Sequence, residues 1–391
     1  MLTKPEPSQV PSRPLGRLAA AVAALVALAL LGPAAGADAL RVAFFPPLDR
    51  ADVLAQAQGL GRALGLEVSV LTPQQLVDPA VFCPERYQLA VYTGHERYVY
   101  EVASPGDGAR ALLDYLGKGG TILVSGTCWP FYRPLKATGD SLEPYAGPVP
   151  QHQGPQDAWL TQAMAQLNQS PVGTFNRFLG LNISGEGTTQ FEAPEETIRF
   201  TVSEAGRGLF PSLPESLPFP GSGDLRFRPA SGRNLGPGVQ FTAITEAVGE
   251  SGKAYGPGIC VVDHTEGPLA GGRVIYLWGT LVQGPQGGAL LADAFRLAAR
   301  HARLGGDQAL AAAEDARRAA QALPRLAQLL EGLQVYPERS YFERELDQIR
   351  GQVALAVQAA EFGNVEGSRS LLAAARDRGE ALRQRVVAVA E

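Results

Sequence analysis

The sequence predicts an α/β protein: a parallel sheet flanked by helices, with β insertions, followed by a C-terminal α-helical hairpin or small bundle. Three observations predict it. Strand-length apolar runs alternate with helical periods from about residue 40 to 125, the alternation returns after 258, and from Asp307 onward the chain turns to helix formers. Strands that alternate with helices imply parallel βαβ units with right-handed crossovers.

The first apolar run, Leu40 to Phe45, ends at Pro46-Pro47, and Asp49 then stands where a helix cap belongs. Val53, Leu54, Leu60 and Leu64 recur at helical spacing until Gly65, and Glu67 to Leu71 reads as the second strand. Tyr87 to Tyr92 is a third strand, Ala109 to Leu116 a helix, and Thr121 to Ser125 a fourth strand entered through Gly119-Gly120. Between about 130 and 258 Pro and Gly are dense. Apart from a helical period at Asp157 to Leu167, this stretch reads as insertions and short strands laid over the sheet, including Thr197 to Val202 and Gln240 to Ala247. Gly258 to Val262 and Arg273 to Trp278 form two more strands, and Ala289 to Arg303 is a closing helix.

The division expected is therefore 1-39, 40-303 and 304-391. In the last segment Pro324, Pro337 and Gly363-Asn364 are expected to break the helices. Leu346, Ile349, Val353 and Val357 form one stripe and Leu371, Leu372, Ala375, Leu382, Val386 and Val387 another, which pairs them as an antiparallel hairpin. Phe362 to Gly367 resembles the inter-helix turn of a tetratricopeptide unit, without a second copy at that period.

Composition narrows the partners. With 45 % hydrophobic and 19 % charged residues and a net charge of -5, the 391-residue chain has the balance of a globular protein and no basic face for phosphates, so nucleic acid is not an expected partner. Lys4, Arg13 and Arg17 precede an apolar run from Leu18 to Leu31, and Ala35, Gly36, Ala37 and Ala39 follow. That order is a secretory signal, which predicts an exported protein, periplasmic or extracellular, touching a membrane only where the signal stays uncleaved. Cys83, Cys128 and Cys260 are too few and too odd in number for a disulfide framework.

Residues 87 to 126 carry a more specific pattern. Tyr87 to Glu96, with its Thr93-Gly94-His95 turn, leads to Leu112-Leu113-Asp114-Tyr115-Leu116 and then Gly119-Gly120-Thr121-Ile122-Leu123-Val124. This resembles the class I glutamine amidotransferase-like superfamily, and within it exported domains of unknown function with a Thr-Gly-His turn and trehalose-utilisation-like proteins. Gly271 to Thr280 is similar to a late strand of those proteins, and Leu213-Pro214 through Arg226 more weakly so. The resemblance spans about 40 to 303 and implies a flavodoxin-like sheet.

True members hydrolyse glutamine with a Cys on a strand-to-helix elbow, a His and a Glu two residues after it. The resemblance points to Cys128 as nucleophile, His264 as base and Glu266 as its orienter, with Gly94 at the oxyanion position. Trp129 and Pro130 stand where the elbow requires small residues, and His264 precedes a further strand instead of following the last one. His95 and Glu96 follow a central strand, at the sheet edge where ligands of open α/β folds collect, and with Gly94 and Trp129 they are the candidate ligand-binding residues. Trp129, Phe131, Tyr132 and Trp278 are candidates for an aromatic platform suited to a sugar or peptide. No metal-ligand spacing and no phosphate loop is present, so no cofactor is expected. The function expected is a ligand- or partner-binding module without glutaminase activity. The alternatives are a Cys-dependent hydrolase and a structural envelope protein that associates through its helical tail.

Overall fold

The computed structural model describes residues 39–46, 51–93, 102, 107–126, 135–138, 141–144, 179–181, 196–219, 230–233, 235–236, 238–278, 281–282, 284–304, 306–331 and 338–390. They fall into two compact units, Leu40–Arg303 and one that contains Leu304–Glu391.

In chain order the first unit begins with β1 (Arg41–Phe44), α1 (Ala51–Leu64), β2 (Glu67–Val70), α2 (Pro73–Val77), β3 (Leu89–Tyr92), α3 (Asp107–Gly117) and β4 (Thr121–Gly126). It continues with β5 (Leu135–Thr138), β6 (Ser141–Pro144), β7 (Ile198–Val202), α4 (Glu204–Leu209), β8 (Ser216–Pro218), β9 (Val239–Gly249), β10 (Ala254–His264), β11 (Arg273–Trp278) and α5 (Gly287–His301). Nine strands make one sheet in the order β2-β1-β3-β4-β11-β10-β9-β7-β8, and β5 and β6 pair by themselves as an antiparallel hairpin.

The first five strands of that order are parallel. Their cores, Val42-Ala43-Phe44, Leu89-Ala90-Val91-Tyr92 and Val274 to Trp278, are buried without a break, as parallel strands covered on both faces must be. The cover comes from α1 packed beside α5 and from α2 packed beside α3. The α2 helix, unforeseen in the sequence, starts with a reciprocal cap in which the Thr72 hydroxyl accepts from the Gln75 amide and the Gln75 side chain accepts from the Thr72 amide.

The remaining four strands are antiparallel. Here the sequence reading needs correction: the strands at 198–202 and 239–249 do not lie over the sheet but widen it edgewise. The reason is visible in β7, where Ile198, Phe200 and Val202 are buried and Arg199 and Thr201 are exposed, the one-wet-face alternation of an antiparallel strand.

Among the described residues the second unit has three helices, α6 (Gly306–Glu331), α7 (Arg339–Glu361) and α8 (Val365–Ala390), with α7 against both others. Leu346, Ile349 and Val353 of α7 meet Ala375, Leu382 and Val386 of α8 and Ala319 and Leu323 of α6. Pro324 does not break α6. Its ring lies on the exposed side, where the carbonyl it leaves without a donor can bond water, while Ala316, Ala319 and Leu323 bury the opposite side. The turn between α7 and α8 takes three residues, Phe362 to Asn364. Gly363 at φ 81° lets its amide reach the Ala360 carbonyl and the Asn364 amide reach that of Ala359, and the Asn364 side chain then accepts from the Gly367 amide.

Ile349, fully buried at the centre of this core, and Leu310, 69 % exposed, give opposite expectations. Ile349→Ala lowers stability by about 2–5 kcal/mol, whereas Leu310→Ala stays within about 0.5 kcal/mol. Hydrogen exchange of the α7 and α8 amides in the full chain measures both.

Candidate functional site

In an open parallel sheet the ligand crevice lies at the carboxyl ends of the strands, where neighbouring connections diverge. The order β2-β1-β3 places that divergence between β1 and β3. Phe45 prolongs the pairing there by donating its amide to the Val91 carbonyl at 3.0 Å, and its ring meets those of Phe82 and Tyr92 edge-on at 5.6 and 5.7 Å. Thr93, the next residue after β3, is 2 % exposed, and its hydroxyl has no hydrogen-bond partner. A buried unpaired hydroxyl costs about 1–3 kcal/mol, so it marks a position that the fold alone does not account for. Sequence reasoning used Thr93 only to frame the turn and passed over its side chain.

Other elements shape the same edge. Trp278, at the end of β11, is wholly buried, its ring centroid 5.1 Å from that of Phe219 and 5.9 Å from that of Phe200. It therefore serves the core and not an exposed platform. Beyond Ile259, which pairs with Leu277, β10 runs back past the end of β11 into the hairpin with β9. Glu196 braces this arm by accepting from the Ser251 amide at 2.7 Å, the Ser251 hydroxyl at 2.9 Å and the Tyr255 hydroxyl at 2.6 Å. Those bonds, Tyr255 first, hold its carboxyl below the usual range.

Of the residues singled out from sequence, Gly94, His95, Glu96, Cys128, Trp129, Phe131 and Tyr132 lie outside the described residues. His264 and Glu266 lie within them. His264 is the last residue of β10, and β10 runs opposite to β11 and β4, so its neighbour Asp263 pairs with Arg273 and Arg273 with Thr121, the first residue of β4. Gly126, two residues before Cys128, is the last residue of β4 and pairs with Trp278. At about 3.3 Å per residue, His264 is thus separated from the end of β4 by at least that strand's length, about 16 Å.

The imidazole is 5 % exposed and hydrogen-bonds the Leu179 backbone, leaving Nε2 buried without a partner. Burial holds its pKa below the ordinary value, against the Leu179 bond and the Asp263 charge. Glu266 is exposed beyond the strand, its β-carbon against Gly238, and takes no bond from the ring. The His-x-Glu spacing is present, but the strand ends at His264 and the chain bends at Glu266.

The amino edge holds a second imidazole that sequence reasoning did not select. His301, in the last turn of α5, has Nδ1 2.8 Å from the Thr121 hydroxyl, beside the 2.7 Å ion pair of Arg273 with Asp263. Because Thr121, Arg273 and Asp263 are register partners, they share one face of the sheet, and His264 faces the other. A further buried group, Asp293 of α5, pairs with Arg296 and accepts from the Ser212 amide at 3.1 Å and the Ser212 hydroxyl at 3.0 Å. Burial raises its pKa despite the Arg296 charge. An acid in the middle of an apolar helix face was the available signal.

A cavity of about 180 Å³ runs along α3 between Arg110, Asp114 and Lys118 on one side and Val77, Pro79 and Phe82 on the other. Among the described residues no three His, Cys, Asp or Glu side chains converge to hold a metal, and no helix is long and apolar enough to cross a membrane. No protein-family model, no curated protein and no solved structure matches the chain.

Both imidazoles have pKa values lowered by burial first, so the folded chain binds fewer protons than the unfolded one. Their contribution to stability is therefore complete above the ordinary value of 6.5 and is lost as pH falls below it. The melting temperature should drop between about pH 7.5 and pH 5, and by less in His264→Gln.

Proposed function

We propose that this chain is an exported protein whose first unit, of the glutamine amidotransferase-like type, binds a small molecule, sugar or peptide at the carboxyl edge of its parallel strands, without glutaminase activity. Export rests on the charged, apolar and small-residue order of positions 1–39. The helical unit serves association with a protein partner. One observation carries the non-catalytic reading: the register that sets His264 at the amino edge, a strand length from the end of β4, with no bond from its ring to Glu266. A Cys–His pair must come within hydrogen-bond reach for the imidazole to take the thiol proton. The carboxyl edge keeps the features of a binding crevice, namely a switch between β1 and β3 and an orphan hydroxyl on Thr93.

The test is thiol reactivity in the native full chain, with iodoacetamide near neutral pH and mass-spectrometric mapping of each cysteine. Cys128 should react no faster than an unactivated thiol, because a depressed pKa requires a base beside it. Cys260, fully buried with its thiol pKa pushed up, serves as the silent reference. Labelling of Cys128 about a hundredfold faster than free cysteine would instead establish the Cys-dependent hydrolase.

The orphan hydroxyl gives an independent expectation. Thr93→Val keeps the shape and removes the unpaired group, so it should raise the stability of the unliganded chain by about 1 kcal/mol in denaturant unfolding. A loss of stability would mean that the hydroxyl serves the fold.

A further inference from the structure

An open sheet has two outer strands, and each presents backbone groups that another chain can pair with. At one end of the order β8 is blunted. Glu215 accepts from the Val202 amide and Phe219 donates to the Ile198 carbonyl, so Ser216 and Pro218 face outward, and a proline has no amide to offer. At the other end β2 carries no such device. It has no proline, lysine or bulge, it is as long as β1 and β3, and its register with β1 is unbroken. Its Val70 is 42 % exposed, one of the two large apolar side chains left exposed among the described residues.

The bonds on either side of β2 define how much of that edge is free. Leu71 donates its amide to the Phe44 carbonyl at 2.9 Å, and by alternation Glu67 and Ser69 also turn toward β1. Beyond the strand the Leu66 amide goes to the Gly61 carbonyl, the Thr72 amide to the Gln75 side chain, and the Thr72 carbonyl accepts from the Leu76 amide. What is left is the amide and carbonyl of Val68 and of Val70, without partners among the described residues and symmetric about Ser69. A two-fold axis through Ser69 satisfies these four groups on two copies at once, Val68 with Val70 of the second copy and Val70 with Val68. The same axis sets the exposed Val70 side chain beside Val68 of the second copy, on the face where Val68 lies against Gly61. Charge selects the same arrangement. Glu67, the one charge on β2, comes opposite Leu71 of the second copy, and the two carboxylates stand about 13 Å apart along the strands, whereas a parallel pairing sets them side by side. A foreign strand would cover this edge and expose one of its own, so a second copy is the partner that closes the sheet. We propose that β2 is the interface through which two copies of this chain pair antiparallel, joining their nine-stranded sheets into one.

Sedimentation of the full chain over roughly 1–100 μM, together with cysteine crosslinking, tests this. The wild-type chain should show a concentration-dependent dimer, and Val70→Pro, which removes an outward amide and keeps the bonds to β1, should weaken it about tenfold or more. Ser69→Cys should give a disulfide-linked dimer under mild oxidation, because residues at the axis of such a pair have Cα atoms about 4.5 Å apart, within disulfide reach, and Glu67→Cys should not. A monomer throughout this range, a dimer that Val70→Pro leaves unchanged, or equal crosslinking of Ser69→Cys and Glu67→Cys overturns the proposal. Should Val70→Pro fail to fold, Val70→Lys takes its place: it changes an exposed side chain, and the dimer should weaken as much, an unchanged dimer again being the overturning result.

Discussion

Strand β11 is the constraint on which the first unit depends. Its six residues pair parallel with β4 on one side and antiparallel with β10 on the other, and from Val274 to Trp278 all are buried. An apolar strand of this kind must be covered on both faces and paired on both edges, because each unpaired buried amide costs about as much as a lost hydrogen bond. Once both pairings are made, the register of each half follows. Arg273 fixes Thr121 and Asp263 at one end, and Trp278 fixes Gly126 at the other. The placement of His264 is a consequence of this seam and not of any local preference of residues 264–266.

The parallel half was legible because its strands are buried on both faces and so read as continuous apolar runs at 42–44, 89–92 and 274–278. The antiparallel half was legible as strands but not as part of the same sheet. Alternation in β7 tells that one face is wet, and it is silent on whether the dry face looks at a helix or at another sheet. The candidate site suffered from the same gap. His264 and Glu266 have the right spacing, but spacing places two side chains on one side only while the strand continues, and β10 ends at His264. Pro324 misled for a related reason: its penalty is local, whereas the face formed by Ala316, Ala319 and Leu323 belongs to the tertiary core. The Thr72–Gln75 cap before α2, by contrast, was written in the sequence as T-P-Q-Q and was overlooked.

The two edges of the sheet differ in how their polar groups are settled. At the amino edge Thr121 meets His301, Arg273 pairs with Asp263, and the His264 backbone bonds Gly271 and Gly272, while Nε of Arg41 is buried without a partner. The paired groups join β4, β10, β11 and α5. At the carboxyl edge the Thr93 hydroxyl is buried and unmatched one residue after Tyr92, at the switch between β1 and β3. In the binding function proposed above, this hydroxyl is a group that a ligand at the carboxyl edge would meet. The Nε2 of His264 is unmatched as well, but it sits among residues of β9 and β10 at the opposite edge, away from that switch. Burial and the seam account for it: the ring is trapped by the register of β10, and its neutral form is the least costly state available there.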